Sequence, residues 1–400
     1  MGTPSGLAAS DGYDLFEIRE SLTYMTVEQT VQVQAGRTGD APPKRALFIK
    51  FKHLGDSVIA TAAIDAMPQG WEIDVVCFSA SQQIFEMHPR VARVETTSKG
   101  KRGVARFLSD LSLVSRLKAR RYDFVAQFSD DWRGAILSRL ISADMSVARR
   151  NSRRGRLWHS SFKKIARVPS RNPRHMAELD VDLVRIAGLY SGSFAPPLRI
   201  VPDADAVLAA ARASAQANLI ADDRPLVLIQ PATRWSFKGL PIATWTEAID
   251  EITAAGQQVA LLGGPDDRDL LDRIAADAGS RIPILIADIK TTAALMLRSS
   301  VVVSVDSLAM HLAAAVGRPT VAVFGPTDEG YWKPWGVPHR LVVNNEYSCR
   351  PCNLDGCAGS KVSHCLIALP PSRIPAAVFS LLMSLAADDC GARAERNRSG

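Results

Sequence analysis

Apolar and polar positions fall into two alternating series along this chain. Residues 46–51 form a short apolar run, read as a buried strand. Residues 55–67 follow with Val58, Ile59, Ala62 and Ala63 on one side, the spacing of a helix. Further strands are predicted over 73–78, 93–96 and 124–128, with helices over 104–118 and 132–140 among them. A helix near 177–189 leads into the Gly- and Pro-containing break 191–197, and another helix is read over 206–218. The second series then sets strands at 226–230, 258–262, 284–286, 301–305 and 320–324 between helices at 245–255, 267–278, 292–298 and 310–316. Strands alternating with helices imply parallel sheets covered on both faces. The fold class is therefore α/β, with two doubly wound Rossmann-like domains facing a central cleft. Their expected bounds are 44–200 and 201–372, followed by a C-terminal helix and tail over 373–400. Residues 1–43, rich in small and polar side chains, are expected to be a poorly ordered tail.

Composition is compatible with this pattern. The 400 residues are 47% hydrophobic and 22% charged, which excludes a disordered, collagenous or coiled-coil chain. No apolar run is long enough for a transmembrane helix. Acids at Asp11, Asp14, Glu17 and Glu20 stand where a signal peptide would be basic and then apolar, so a cytoplasmic chain is expected. The net charge of +7 is concentrated in one place, because residues 149–174 hold ten Lys or Arg and no acid. Such a segment attracts a polyanion: nucleic acid, an anionic membrane leaflet or a phosphorylated substrate. It also reads as a solvated loop. Trp158 and Phe162 inside it favour a contact surface.

Candidate chemistry lies just after the strands, where open α/β sheets bind ligands. Asp56 follows the first strand beside Gly55, as a general base or as a simple helix cap. Thr233, Arg234 and Lys238 follow the first strand of the second series. They suit a phosphate pair, or are an ordinary charged loop. Gly263 and Gly264 permit close backbone approach, and Asp267 beyond them can accept from ribose hydroxyls. The most specific segment is the strand 301–305 running into Asp306-Ser307. Ser307 and the free N–H groups of Leu308 and Ala309 form an anion site at a helix start. Asp306 is placed to bind hydroxyls beside the phosphates, and His311, one turn in, reads as a structural group. Gly325 and Thr327, after the next strand, can reach the same ligand. Two such units side by side suit a nucleotide diphosphate.

Of six cysteines, Cys349, Cys352, Cys357 and Cys365 share one window with spacing C-x2-C-x4-C-x7-C. Four thiolates suit a tetrahedral zinc or iron ion with a structural role, since no position stays open for substrate. Unligated thiols are the alternative. Cys77 and Cys390 stand apart.

Together, Gly55-Asp56, the Arg234…Lys238 loop, Gly263–Asp267, Asp306-Ser307…His311 and Gly325-Pro326-Thr327 followed by Trp332 and Trp335 resemble glycosyltransferase family nine. These are the ADP-heptose:lipopolysaccharide heptosyltransferases of GT-B fold. Residues 129–135 and the cysteine segment are most similar to the heptosyltransferase III-like branch. The resemblance covers residues 45–380. It implies inverting transfer of heptose from ADP-L-glycero-D-manno-heptose to the lipopolysaccharide inner core, without a catalytic metal. Asp56 matches the general base. Thr233, Lys238, Ser307 and Thr327 match positions near the pyrophosphate, with Arg234 as a secondary partner. Asp267 matches the acid on the adenosine ribose, and Asp306 the acid on the heptose. Leu308 departs from the pattern, because many members carry glycine there and a Cβ limits how closely backbone approaches phosphate. Acceptor contacts are expected at Lys52, Gly55, Asp131 and Arg133, and at Arg149, Arg153 and Arg156 of the basic segment. That segment would grip the anionic core or the inner face of the inner membrane, as a peripheral contact.

A nucleic-acid-binding module is the competing class, on the basic run and the cysteines. The two features lie about 175 residues apart without an RNA-binding signature, so nucleic acid is not expected as a partner. A transferase of the same fold with a protein acceptor, or with another nucleotide sugar, stays open.

Overall fold

The apolar runs assemble into two parallel six-stranded sheets. The computed structural model describes residues 43–97, 103–168, 174–219 and 224–399. The tail expected over residues 1–43 lies outside the described residues, Pro43 apart, and so does Arg171 of the basic run. The first sheet holds β1 (Arg45–Lys50), β2 (Glu72–Phe78), β3 (Val91–Thr97), β4 (Phe124–Gln127), β5 (Met145–Arg149) and β6 (Lys164–Ala166), in the order 3-2-1-4-5-6. The second holds β7 (Leu226–Gln230), β8 (Gln258–Gly263), β9 (Ile284–Ile286), β10 (Val301–Val305), β11 (Thr320–Phe324) and β12 (His339–Val343), in the order 12-11-10-7-8-9. Counted within its own half, this is the same winding. All neighbours pair parallel. Helices cover both faces, which is why β10 reads Val-Val-Val-Ser-Val and is buried throughout. The order reverses between β1 and β4, and again between β7 and β10. Connections leave to opposite faces at those points and open a crevice at the strands' carboxyl ends.

Three strands escape the hydrophobic pattern. β6 is a three-residue edge strand containing an exposed Lys164, a feature that protects a sheet edge from pairing with other chains. β12 is also an edge, half-exposed over most of its length. β5 is short and interrupted by Ser146. The helix predicted over 55–67 is two helices, Leu54–Ile59 and Thr61–Asp65, with the Thr61 hydroxyl donating back to the Val58 carbonyl at 2.7 Å.

The basic segment is largely structural, contrary to its reading as one contact surface. Trp158 and Phe162 are buried against Ala135 and Ala148. Arg149 pairs with the buried Asp180, which also takes Lys50 at 3.0 Å. Arg174 pairs with Asp182 at 2.9 Å, and Lys163 and Lys164 donate to the carbonyls of Asp144 and Ile186. Arg150, Arg153, Arg156 and Arg167 remain exposed.

The halves share one core. Val58, Ile59 and Ala62 of the first pack in the same cluster as Ala309, Leu312 and Ala313 of the second. The connecting strand of chain is fastened to both sides, with Arg199 N donating to Thr61 Oγ1 at 3.2 Å and Ile200 N to the Ala315 carbonyl at 2.9 Å. No helix among the described residues is long and apolar enough to cross a membrane.

Candidate active site

A cavity of about 490 Å³ opens where the two switch points face each other. Its walls carry Asp56 from the first half, and Thr233, Lys238, Asp267, Asp306 and Ser307 from the second. Asp56 lies in the first turn of Leu54–Ile59, where the helix dipole favours a carboxylate. Gly55 beside it permits close approach of the halves, because a Cβ there would stand 3.1 Å from His311 Cδ2.

Opposite, Lys238 closes a short turn, Ser236–Lys238, and its Nζ lies 2.6 Å from Asp306 Oδ2. One of three ammonium protons is thus engaged, and two remain for a ligand. Ser307 is the N-cap of the helix Leu308–Ala315, yet its hydroxyl makes no cap bond. Instead it donates to Gln230 Oε1 at 3.2 Å, which leaves the N–H groups of the first turn directed at the cavity. Leu308 and Ala309 line that wall. The Leu308 side chain packs against the shared core.

Asp267 Oδ2 accepts from Gly264 N at 2.9 Å, so its second oxygen is available. Gly263 is required here, since a Cβ would come within 2.9 Å of Asp267 Cβ. Beside Asp267, Leu262, Ala287, Ile289 and Thr292 form a mostly apolar slot. Arg234 lies over the Trp235 ring and donates across the cleft to His53 Nδ1 at 2.7 Å. His311 is buried in the back wall. Burial pushes its imidazole down to about 4, against the opposite pull of the Asp306 and Asp56 carboxylates.

Other expected site residues lie elsewhere. Gly325 and Thr327 are not in the cavity wall. The space a Gly325 Cβ would need is filled by Leu366, 2.5 Å away, and the Gly325 carbonyl accepts from Arg350 Nε at 2.6 Å. The cysteine loop has folded over this turn. Among the acceptor candidates, Asp131 caps the helix Trp132–Ile141 by accepting from Gly134 N at 2.8 Å. Arg133 donates to Thr97 Oγ1 and lies over the Phe51 ring, and Arg149 is tied to Asp180. Lys52 reaches Asp130 at 3.2 Å on the rim near Asp56, while Arg153 and Arg156 are exposed. Residues without a role in the sequence reading also line the cavity: His53, Gln230, Trp235 and the apolar slot. Gln230 had a signal, a polar residue ending an apolar strand. The slot had none, because its members come from β8, the turn after β9 and the next helix.

Cys349 is exposed, Cys352 and Cys357 are half-buried, and Cys365 is buried. Burial raises the Cys365 thiol; Arg350 opposes this, and the charges of the other three cysteines add to it. Among the described residues, no three His, Cys, Asp or Glu side chains stand in an arrangement that could hold a metal ion.

Comparison with known proteins agrees with this layout. The family described as "Glycosyltransferase family 9 (heptosyltransferase)" matches residues 111–362. The chain is 28% identical over 295 residues to lipopolysaccharide heptosyltransferase 3 of Escherichia coli strain K12, covering 71% of this chain and 83% of that protein. A glycosyl transferase family 9 structure from Veillonella parvula DSM 2008 superimposes with a TM-score of 0.73 at 18% identity, over 85% of this chain and 97% of that one. The structure of E. coli ADP-heptose lps heptosyltransferase II does so with a TM-score of 0.67 at 17% identity, over 86% and 99%.

Proposed function

The chain belongs to glycosyltransferase family 9 and is a glycosyltransferase of the heptosyltransferase kind, and from that premise we propose that it moves heptose from ADP-heptose to the lipopolysaccharide inner core. The observation that carries the reading is the placing of Asp56 and the Lys238–Ser307 wall on one cavity. In this reading the adenine fills the slot at Ala287 and Ile289, and the ribose meets the available oxygen of Asp267. The pyrophosphate lies against the Ser307 helix start, with Lys238 and Thr233 beside it. Asp306, already holding Lys238, offers its other oxygen to the sugar.

Transfer is a single displacement with inversion. The acceptor oxygen forms its bond to the anomeric carbon as the bond from that carbon to the phosphate oxygen breaks. Asp56 takes the acceptor proton, and ADP leaves carrying the electron pair. The developing charge falls where Lys238 and the helix N–H groups already point, and such preorganised donors are worth several kcal/mol. The exposed Lys52, Arg153 and Arg156 would meet the anionic acceptor. No step uses a metal. The cysteine loop is proposed to take a structural zinc or iron ion on the chemistry of its four thiol donors alone, and those thiols would have to draw together to hold it.

The test is Asp56→Asn with ADP-heptose and an inner-core acceptor. Turnover should fall about a hundredfold or more, the scale of general-base catalysis, while ADP affinity stays as in the parent. Near-normal turnover removes Asp56 from the role. Use of UDP or GDP sugars in preference to ADP-heptose, or of a protein acceptor, would replace the substrate assignment.

A further inference from the structure

The two walls of the cleft touch at two depths. At the back, buried His311 stands against Gly55, where a Cβ would lie 3.1 Å from its ring. At the exposed mouth, Arg234 of the second half donates to His53 Nδ1 of the first at 2.7 Å. Arginine only donates, so Nδ1 accepts and the ring proton sits on Nε2. An exposed pair of loose side chains contributes little, because ordering both costs entropy. These two are already ordered. The guanidinium lies 5.1 Å over the Trp235 ring, Trp235 stacks on the buried Phe237 at 6.1 Å, and His53 meets Trp235 edge-on at 6.4 Å. Both ends adjoin the reacting groups. The His53 carbonyl accepts from Ser57 N and from Ser57 Oγ, each at 3.1 Å, across the turn that holds Asp56. On the other wall, Arg234 stands between Thr233 and the Ser236–Lys238 turn, whose Lys238 holds Asp306 at 2.6 Å.

We propose that His53 is a positioning residue for the transfer, acting through Arg234. The pair sets the gap between the helix that carries Asp56 and the loop that carries Thr233 and Lys238. Displacement needs the acceptor oxygen, the anomeric carbon and the departing phosphate oxygen in line, and a misplacement of about 1 Å can cost a hundredfold in rate. The deep contact at His311 holds the walls at one level and leaves the mouth free to widen. The second contact removes that freedom. Arg234 is then part of the frame rather than a pyrophosphate ligand, because its guanidinium is held between the Trp235 ring and the opposite wall. What is positioned rests on the transfer reading; the pair itself does not.

The experiment compares His53→Ala, Arg234→Ala and the double variant of the full chain in ADP-heptose turnover and in ADP binding. The His53 side chain makes no cap bond and its backbone is extended, at φ −75° and ψ 167°, so alanine fits and the capping carbonyl remains. Each single variant should lose about tenfold in kcat, with ADP affinity and donor KM within about twofold of the parent. The double variant should lose no more than either single one, as for two residues that act through one contact. His53→Asn returns an accepting oxygen near the place of Nδ1 and should recover most of the loss, which a purely steric role would not allow. In a histidine nitrogen spectrum at about pH 8, the Nδ1 signal that His53→Asn removes should move on Arg234→Ala. The proposal is overturned by single variants with parental kcat, or by losses that multiply to about a hundredfold in the double variant. A His53→Asn variant no better than the alanine one, or an unmoved Nδ1 signal, overturns it as well. So does an Arg234→Ala variant that binds ADP about tenfold more weakly while His53→Ala does not, since Arg234 would then be a pyrophosphate ligand. A parent without ADP-heptose turnover would sink the substrate reading alone. The kinetic comparison then runs on the UDP or GDP sugar that the chain uses, and the Nδ1 signal needs no turnover.

Discussion

His311 shows how a single side chain ties the site to stability. It is buried against Gly55, so the helices on either side of the cleft meet through its ring. Burial holds its folded value near 4, below the ordinary 6.5. The unfolded chain takes up the proton at 6.5, the folded chain only near 4, so acid favours unfolding between those values. The contribution is fully present above 6.5 and is lost as pH falls toward 4. The slope is about 1.4 kcal/mol per pH unit at most. His175, pushed down to about 3 by burial and by the charge of His311, acts in the same direction. Denaturant unfolding at pH 5, 6 and 7 measures this. The His311→Gln variant should lose stability less steeply than the parent over that range, by about one proton's worth. Parallel slopes would show that the ring takes up its proton over the same pH range in the folded and the unfolded chain.

At the scale of elements, the cysteine loop is the piece that sequence reasoning placed worst. Asp56, Lys238, Asp267, Asp306 and Ser307 were legible because each follows a buried strand, and strand ends converge in this fold. Gly325 and Thr327 follow a strand equally well, yet the chain from Arg350 to Leu366 covers their turn. No local pattern announces a covering loop. β6 and β12 were missed for a related reason, since edge strands are short or half-exposed and lose the apolar signature. Trp158 and Phe162 misled in the opposite sense, because a charged surround hid two core rings. The same loop also reaches the other side of the site. Ser363 Oγ donates to the Phe237 carbonyl at 2.6 Å, and Ser236 Oγ to the Lys361 carbonyl at 3.2 Å. The turn that carries Lys238 therefore leans on the cysteine loop. If the thiols take an ion, protein purified without chelator should contain zinc or iron at one per chain. The double variant Cys357→Ser/Cys365→Ser should lose it, and ADP should bind about tenfold more weakly, the size of one lost charged contact. Metal-free parent protein would remove the ion, and a variant with unchanged ADP affinity would separate the loop from the donor site.

Across the whole molecule, the two windings are alike but not independent. Val58, Ile59 and Ala62 share a core with Ala309, Leu312 and Ala313, and Leu198 and Ile200 of the connection are buried beside them. Val201 N donates to the Met87 carbonyl at 2.9 Å, just after Ile200 has bonded to the opposite half. A linker that only joined two domains would stay exposed; this one is part of the packing. Separating the halves would expose an apolar seam and leave those backbone groups without partners. The chain should therefore melt once. Scanning calorimetry should give a single transition whose calorimetric and van't Hoff enthalpies agree. Saturating ADP should raise that one transition, by about 2.7 kcal/mol of stability at a hundred times the dissociation constant. The donor residues lie on the second half, so the rise also measures how firmly the first half is coupled to them. Two resolved transitions, with ADP moving only one, would mean that the shared core does not hold the halves together. The placing of Asp56 opposite Lys238 would then depend on the ligand rather than on the fold.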